Sequence, residues 1–202
     1  MTAGTSSIRC LTSGAIAAIF LPNAVQPPMA SEVTHVFGVL GARLVIQTGC
    51  CGALAEGIAA GDLFIAQEAM CGEGASQYYR PGEKVLEASI DLREWMPEEG
   101  PVPVDLYSGR IYTTSALFAE GMEEVEAWFQ AGCSAVDMET AATFAVAKYF
   151  GMDRASVLYA FDNPRQKEHI FLEDSEKDER RAAGNQAMIE LALEAIKRYP
   201  FA

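Results

Sequence analysis

The chain has 202 residues, half of them hydrophobic and 21% charged, a globular composition that fills one core but not two. Its formal net charge of −13 sets it against phosphate backbones and anionic lipid, so nucleic acid and membranes are poor partners. Five cysteines, with Cys50 and Cys51 adjacent, match neither a disulfide framework nor a zinc site and fit reduced thiols in a cytoplasmic protein.

The first seven residues lack a basic stretch followed by an apolar one, so no secretion signal is expected. No apolar run reaches the ~20 residues that cross a bilayer. In chain order, residues 16–21 read as a strand stopped by Pro22 and Asn23, and residues 29–40 as a helix closing near Gly41. Leu44-Val45-Ile46 is a short buried strand that runs into a glycine-flanked turn, and residues 63–66 form another. Residues 91–103, with Trp95, Pro97, Gly100 and Pro101, read as a loop, and residues 110–113 as a strand.

A helix is predicted over residues 138–150, where Met138, Ala141, Ala142, Ala145, Val146 and Tyr149 recur at helical spacing before a Gly151 cap. Residues 156–161 are a buried strand with Asp162 at its carboxyl end. The last helix is expected over residues 176–197, capped by Ser175, with Ala183, Ala187, Leu191 and Ile196 facing inward. The acidic and basic residues 173–181 read as its solvated start. This alternation predicts an α/β fold, a single domain over residues 1–202 with a mixed β-sheet flanked by helices.

Four segments carry chemistry, and each also has a plain structural reading. Gly49-Cys50-Cys51-Gly52 can bring backbone N–H groups to an anion or simply make a tight turn. Gly61-Asp62 and the later Gly72-Glu73-Gly74-Ala75-Ser76 can bend around a ligand or merely connect elements. Asp137 and Glu139 at a helix start suit the macrodipole, yet a fixed carboxylate there also suits the paired hydroxyls of a ribose. Asp162-Asn163-Pro164 is turn chemistry, but it also lies where open α/β sheets bind ligands.

In this order and spacing, Gly-Cys-Cys-Gly-Ala at 49–53, Gly-Asp at 61–62, Gly-Glu-Gly-Ala-Ser at 72–76, Val-Asp-Met-Glu-Thr-Ala-Ala at 136–142 and Asp162 resemble the nucleoside phosphorylase superfamily. The likeness is to its hexameric purine nucleoside phosphorylases and uridine phosphorylases, and it runs from about Arg9 to the last helix. The resemblance implies cleavage of the N-glycosidic bond of a nucleoside. The reaction would be phosphorolysis of a purine nucleoside to base and ribose 1-phosphate, with inorganic phosphate as co-substrate and no cofactor or metal.

It also assigns roles. Glu139 and Met138 would hold the ribose, Asp162 would donate a proton to the departing purine, and Phe118 and Phe161 would contact the base. Arg9, Gln47 and Cys50 would fall at the phosphate. Arg9 matches an arginine that reaches a neighbouring subunit, which implies a homodimer or hexamer. Relatives carry an arginine where Gln47 stands and a hydroxyl where Cys50 stands, and they begin with a further strand and arginine-bearing glycine loop. An amide lacks the charged fork of arginine and a thiol is a weak donor, so weaker phosphate binding is expected. Hydrolysis by a nucleosidase of the same superfamily, and a member that binds without turnover, are the alternative readings.

Overall fold

The computed structural model describes residues 27–95, 104–166 and 175–200, so Arg9 and the strand expected at 16–21 lie outside the described residues. Helix α1 (Pro27–Val39) leads into β1 (Leu44–Ala53) and β2 (Leu63–Cys71), followed by a single turn α2 (Ser76–Tyr79) and a short β3 (Val85–Glu87). Then come β4 (Leu106–Thr113), α3 (Met122–Gln130), β5 (Cys133–Asp137), α4 (Thr140–Phe150), β6 (Asp153–Asp162) and α5 (Ser175–Arg198). The sheet is mixed, as the alternation predicts, in the order β3-β2-β4-β5-β1-β6. β6 also pairs antiparallel with β2, from Leu63 opposite Tyr159 to Ile65 opposite Val157, so the sheet curls and closes on itself.

The first six residues of β1 are all buried, a continuous run and not an alternation, because helices cover both faces, α5 against Leu44 and Ile46 and α1 with α4 against Val45. On one side α5 lays Ala187, Met188, Leu191, Ala192 and Ile196 on Leu44, Ile46, Leu63, Ile65 and Val157. On the other, Phe144 and Ala141 of α4 pack with Phe64, Ile111, Ala135 and Leu158. α4 is buried from Thr140 to Ala147, so its apolar positions are not one stripe; Tyr149, expected inside, is 58% exposed. Gly151 caps the helix in the left-handed region at φ 69°, as its position predicts.

Two differences from the sequence reading bear on the site. β1 does not stop at Ile46 but runs through both glycines to Ala53, paired with β6 as far as Gly52 opposite Asp162. Of the two glycines that look like a turn, Gly52 serves a close approach within the strand, whereas a Cβ on Gly49 would meet Leu158 only at 3.7 Å. The residues at 136–139 are split between β5, which ends at Asp137, and α4, which begins at Thr140.

Candidate active site

Asp137 is 4% exposed and fully engaged. Its carboxylate accepts hydrogen bonds from Thr113 Oγ1 at 2.8 Å, Thr140 N at 2.8 Å and Thr140 Oγ1 at 2.5 Å. Thr113 Oγ1 in turn accepts from Ala141 N at 3.0 Å, and Thr140 Oγ1 lies 3.2 Å from Ser156 Oγ. Asp137 thus supplies the acceptor that the first turn of α4 needs, and it ties the ends of β4 and β5 to that helix. Glu139 occupies the N-cap position but makes no side-chain cap bond, which leaves its carboxyl for other work.

Asp162 is the last residue of β6 and is buried. A β-bulge at Cys51 and Gly52 brings β1 alongside both β5 and β6, with Gly52 opposite Val136 on one side and Asp162 on the other. A side chain on Gly52 would meet Val136 Cγ1 at 3.1 Å, Pro164 Cγ at 3.2 Å and Asp162 Oδ1 at 3.3 Å. The missing Cβ is the space into which the Asp162 carboxyl packs.

Glu139 follows the end of β5 and Asp162 ends β6, the two neighbours of β1 in the sheet, and the charges of both act on Cys50 of β1. Burial, then the charges of Glu139, Asp162 and Asp137, push the Cys50 thiol up to about 12, so it stays neutral. Glu139 itself is held up at about 8, first by burial and then by the charge of Asp137. Burial also raises Asp137, against the pull of its threonine donors. Glu139 and Asp137 therefore resist ionisation, a setting that suits a carboxyl that ionises only when a ligand supplies hydroxyl donors.

Phe118 stands 81% exposed on the turn Leu117–Ala119 that follows β4, and Glu120 closes that turn within the field of Asp162. Met138 lies between the two acids of the β5–α4 junction and is half-buried. Phe161 is half-buried beside Asp162, with the Arg181 guanidinium 3.9 Å above its ring. Arg181 is buried, donates from Nε to the Phe161 carbonyl at 2.8 Å and pairs with Asp178 at 2.8 Å. The solvated helix start that the charge run suggests is thus corrected at this residue; nothing in a run of mixed charges marks which arginine turns inward.

Gln47 is fully buried. Its Oε1 accepts from Thr143 Oγ1 at 3.2 Å and its amide nitrogen lies 3.4 Å from the Thr48 carbonyl. The Gly49 N–H is directed to Met188 Sδ at 3.3 Å. Asp62 and Glu73, which looked able to serve a ligand, make local turns: Asp62 Oδ2 accepts from Ala59 N at 2.8 Å, and Glu73 accepts from Ser76 N at 3.1 Å. A separate cavity of about 520 Å³ opens between α1 and α2, lined by Pro28, Ser31, Gly74, Tyr78, Tyr79 and Ser115. Neither Glu139 nor Asp162 lines it.

A mixed sheet with two carboxyls at the carboxyl ends of strands flanking β1 defines an α/β protein whose site lies where such sheets bind small molecules. The phosphorylase superfamily matches residues 5–197, and the chain belongs to that superfamily. It is 29% identical over 172 residues to the DeoD-type purine nucleoside phosphorylase of Bacillus cytotoxicus, spanning 84% of this chain and 70% of that one. The DeoD-type enzyme of Bacillus cereus is 28% identical over the same shares. Among solved structures, uridine phosphorylase from Vibrio fischeri ES114 shares the fold at a TM-score of 0.73 and 23% identity, over 87% of this chain and 72% of the other. Among the described residues no helix is long and apolar enough to cross a membrane.

Proposed function

We propose that the chain phosphorolyses purine nucleosides, releasing the free base and ribose 1-phosphate. The observation that supports this most is the placement of Glu139 and Asp162 beside the ends of the two strands that flank β1, with both charges acting on Cys50, in a chain of this superfamily. The purine preference rests on Asp162, a buried acid at the end of β6 placed to serve the departing base.

In this reading the C1′–N9 bond breaks with its electron pair leaving on the base, and Asp162 passes its proton to the base nitrogen that gains charge. The sugar becomes oxocarbenium-like, as in other glycosyl transfers. Glu139 accepts hydrogen bonds from the 2′ and 3′ hydroxyls, Met138 packs against the sugar, and Phe118 and Phe161 contact the base. A phosphate oxygen then bonds to C1′. Glu139 held neutral until the sugar arrives reduces the repulsion that an incoming phosphate meets beside Asp137 and Asp162.

Phosphate would be held by Arg9 of a neighbouring subunit together with Cys50 and Gln47, which makes a homo-oligomer the working unit. For Gln47 to contribute, its amide has to turn away from the Thr48 carbonyl. The free thiols of Cys50, Cys51, Cys71 and Cys133 support a reducing, cytoplasmic setting.

Incubation of adenosine, inosine and uridine with and without inorganic phosphate tests the proposal by following base release. Release from a purine nucleoside only when phosphate is present is the expected result. Release without phosphate would replace phosphorolysis by hydrolysis, and binding without release would make the chain a non-turnover member. Cleavage of uridine alone would overturn the purine assignment.

A further inference from the structure

We infer that Glu120 reads the exocyclic group of the base, accepting a hydrogen bond from an amino substituent and so favouring 6-aminopurines over 6-oxopurines. The inference rests on the purine reading above and deepens it. Glu120 ends the turn Leu117–Ala119, two residues after Phe118, where the backbone is extended at φ −71° and ψ 110°. Phe118 projects outward, whereas Glu120 turns inward: its Oε1 is shielded from solvent and has no hydrogen-bond partner.

The local structure does not use this carboxyl. The α3 N-terminus is served by Glu124, whose Oε2 accepts from Gly121 N at 3.1 Å. Among the described residues, the one charged group that acts on Glu120 is Asp162. A buried carboxyl oxygen left unpaired is costly, and a ligand N–H placed there removes the cost.

A 6-aminopurine presents that N–H in the right place. Its N7 acceptor and its amino donor lie side by side on one edge, whereas a 6-oxopurine presents two acceptors there. Asp162 bearing a proton complements N7, and a neighbouring ionised Glu120 complements the amino group. Burial first, and any charge on Asp162 second, hold Glu120 up at about 7, so the accepting form is dominant on the alkaline side of neutrality.

The test is calorimetric titration of the full chain with adenine and with hypoxanthine at pH 8, for wild type, Glu120→Gln and Glu120→Ala. The wild type is expected to prefer adenine by about tenfold or more, the usual reach of one charge-assisted bond. Glu120→Ala should lose that preference by weakening adenine alone, and Glu120→Gln, which keeps an acceptor and the side-chain shape, should fall between. An unchanged adenine-to-hypoxanthine ratio in both variants overturns the inference while leaving the purine reading intact, as does a wild type that prefers hypoxanthine. A wild type that binds neither base, yet binds uracil, overturns the purine reading and this inference with it.

Discussion

In the proposed reaction Asp162 and Glu139 divide the work between the two halves of the substrate, so their substitutions should separate in the readout. Asp162→Asn keeps the shape beside Gly52 but cannot donate an acidic proton. Its kcat on a purine nucleoside is expected to fall by about 10²–10⁴, the usual reach of general acid catalysis, with thermal unfolding little changed. Steady-state kinetics on the variant check this, and undiminished turnover would remove Asp162 from the reaction. Glu139→Gln is expected to weaken nucleoside binding by about tenfold and free-base binding much less, because only the nucleoside brings sugar hydroxyls. Since Glu139 is held at about 8 in the free site, a diol that stabilises its ionised form should release a proton on binding near pH 7. Calorimetry in buffers of different ionisation enthalpy would detect that proton, and its loss in Glu139→Gln would assign it. Sequence pattern alone could nominate these two acids but not tell Asp137 from Glu139. Only the three donors around Asp137 show that it caps α4 while its neighbour stays available. Arg181 and Glu120 carried no pattern, because burial of a single charged side chain within a polar stretch leaves no periodic trace.

At the level of elements, β1 and its two neighbours make the proposed site, and Gly52 fixes how closely they meet. Gly52→Ala places a methyl group within 3.1–3.3 Å of Val136, Pro164 and the Asp162 carboxyl. Activity is expected to fall through displacement of Asp162 even if the variant folds, and a KM and kcat change with nearly unchanged unfolding temperature would show it. Gly61 and Gly184 carry the packing of α5. A Cβ on Gly184 would lie 2.2 Å from the Gly61 carbonyl oxygen, a backbone atom that cannot swing aside. Gly184→Ala should therefore destabilise by about 1–3 kcal/mol despite alanine's better helix propensity, as measured by denaturant unfolding. The long elements α1, α4 and α5 were legible from apolar spacing and caps. β3, β5 and α3 were not, because short segments leave too few residues to show a period, and β1 was cut short because its glycines mimic a turn.

The whole molecule carries an acidic surplus, and two of its partly buried glutamates are shifted upward. Glu139 is raised to about 8 and Glu120 to about 7, chiefly by burial. The unfolded chain therefore releases these protons at lower pH than the folded one, and stability falls as pH rises from the ordinary glutamate range, near 4.5, through about 8. Surface carboxylates paired with cations, such as Glu83 with Lys148 and Asp91 with Arg93, are lowered and act in the opposite sense on the acid side. The ligand-free protein should thus unfold at a higher temperature near pH 5.5 than near pH 8.5, and Glu139→Gln should flatten that slope. A stability maximum above pH 8 would contradict the burial of both carboxyls. The α/β architecture was legible at this scale because strands and helices alternate along the chain. Closure of the sheet through β2 and β6 was not, since pairing between strands so far apart in sequence leaves no local mark.

The central claim is that one nucleoside spans both acids, and a crystal structure of the protein with a purine nucleoside or a non-cleavable analogue tests it most directly. The account predicts the ribose hydroxyls within hydrogen-bond distance of Glu139 and the base nitrogen facing Asp162, with Cys50 between them. A nucleoside seated in the cavity between α1 and α2, touching neither carboxyl, would contradict it.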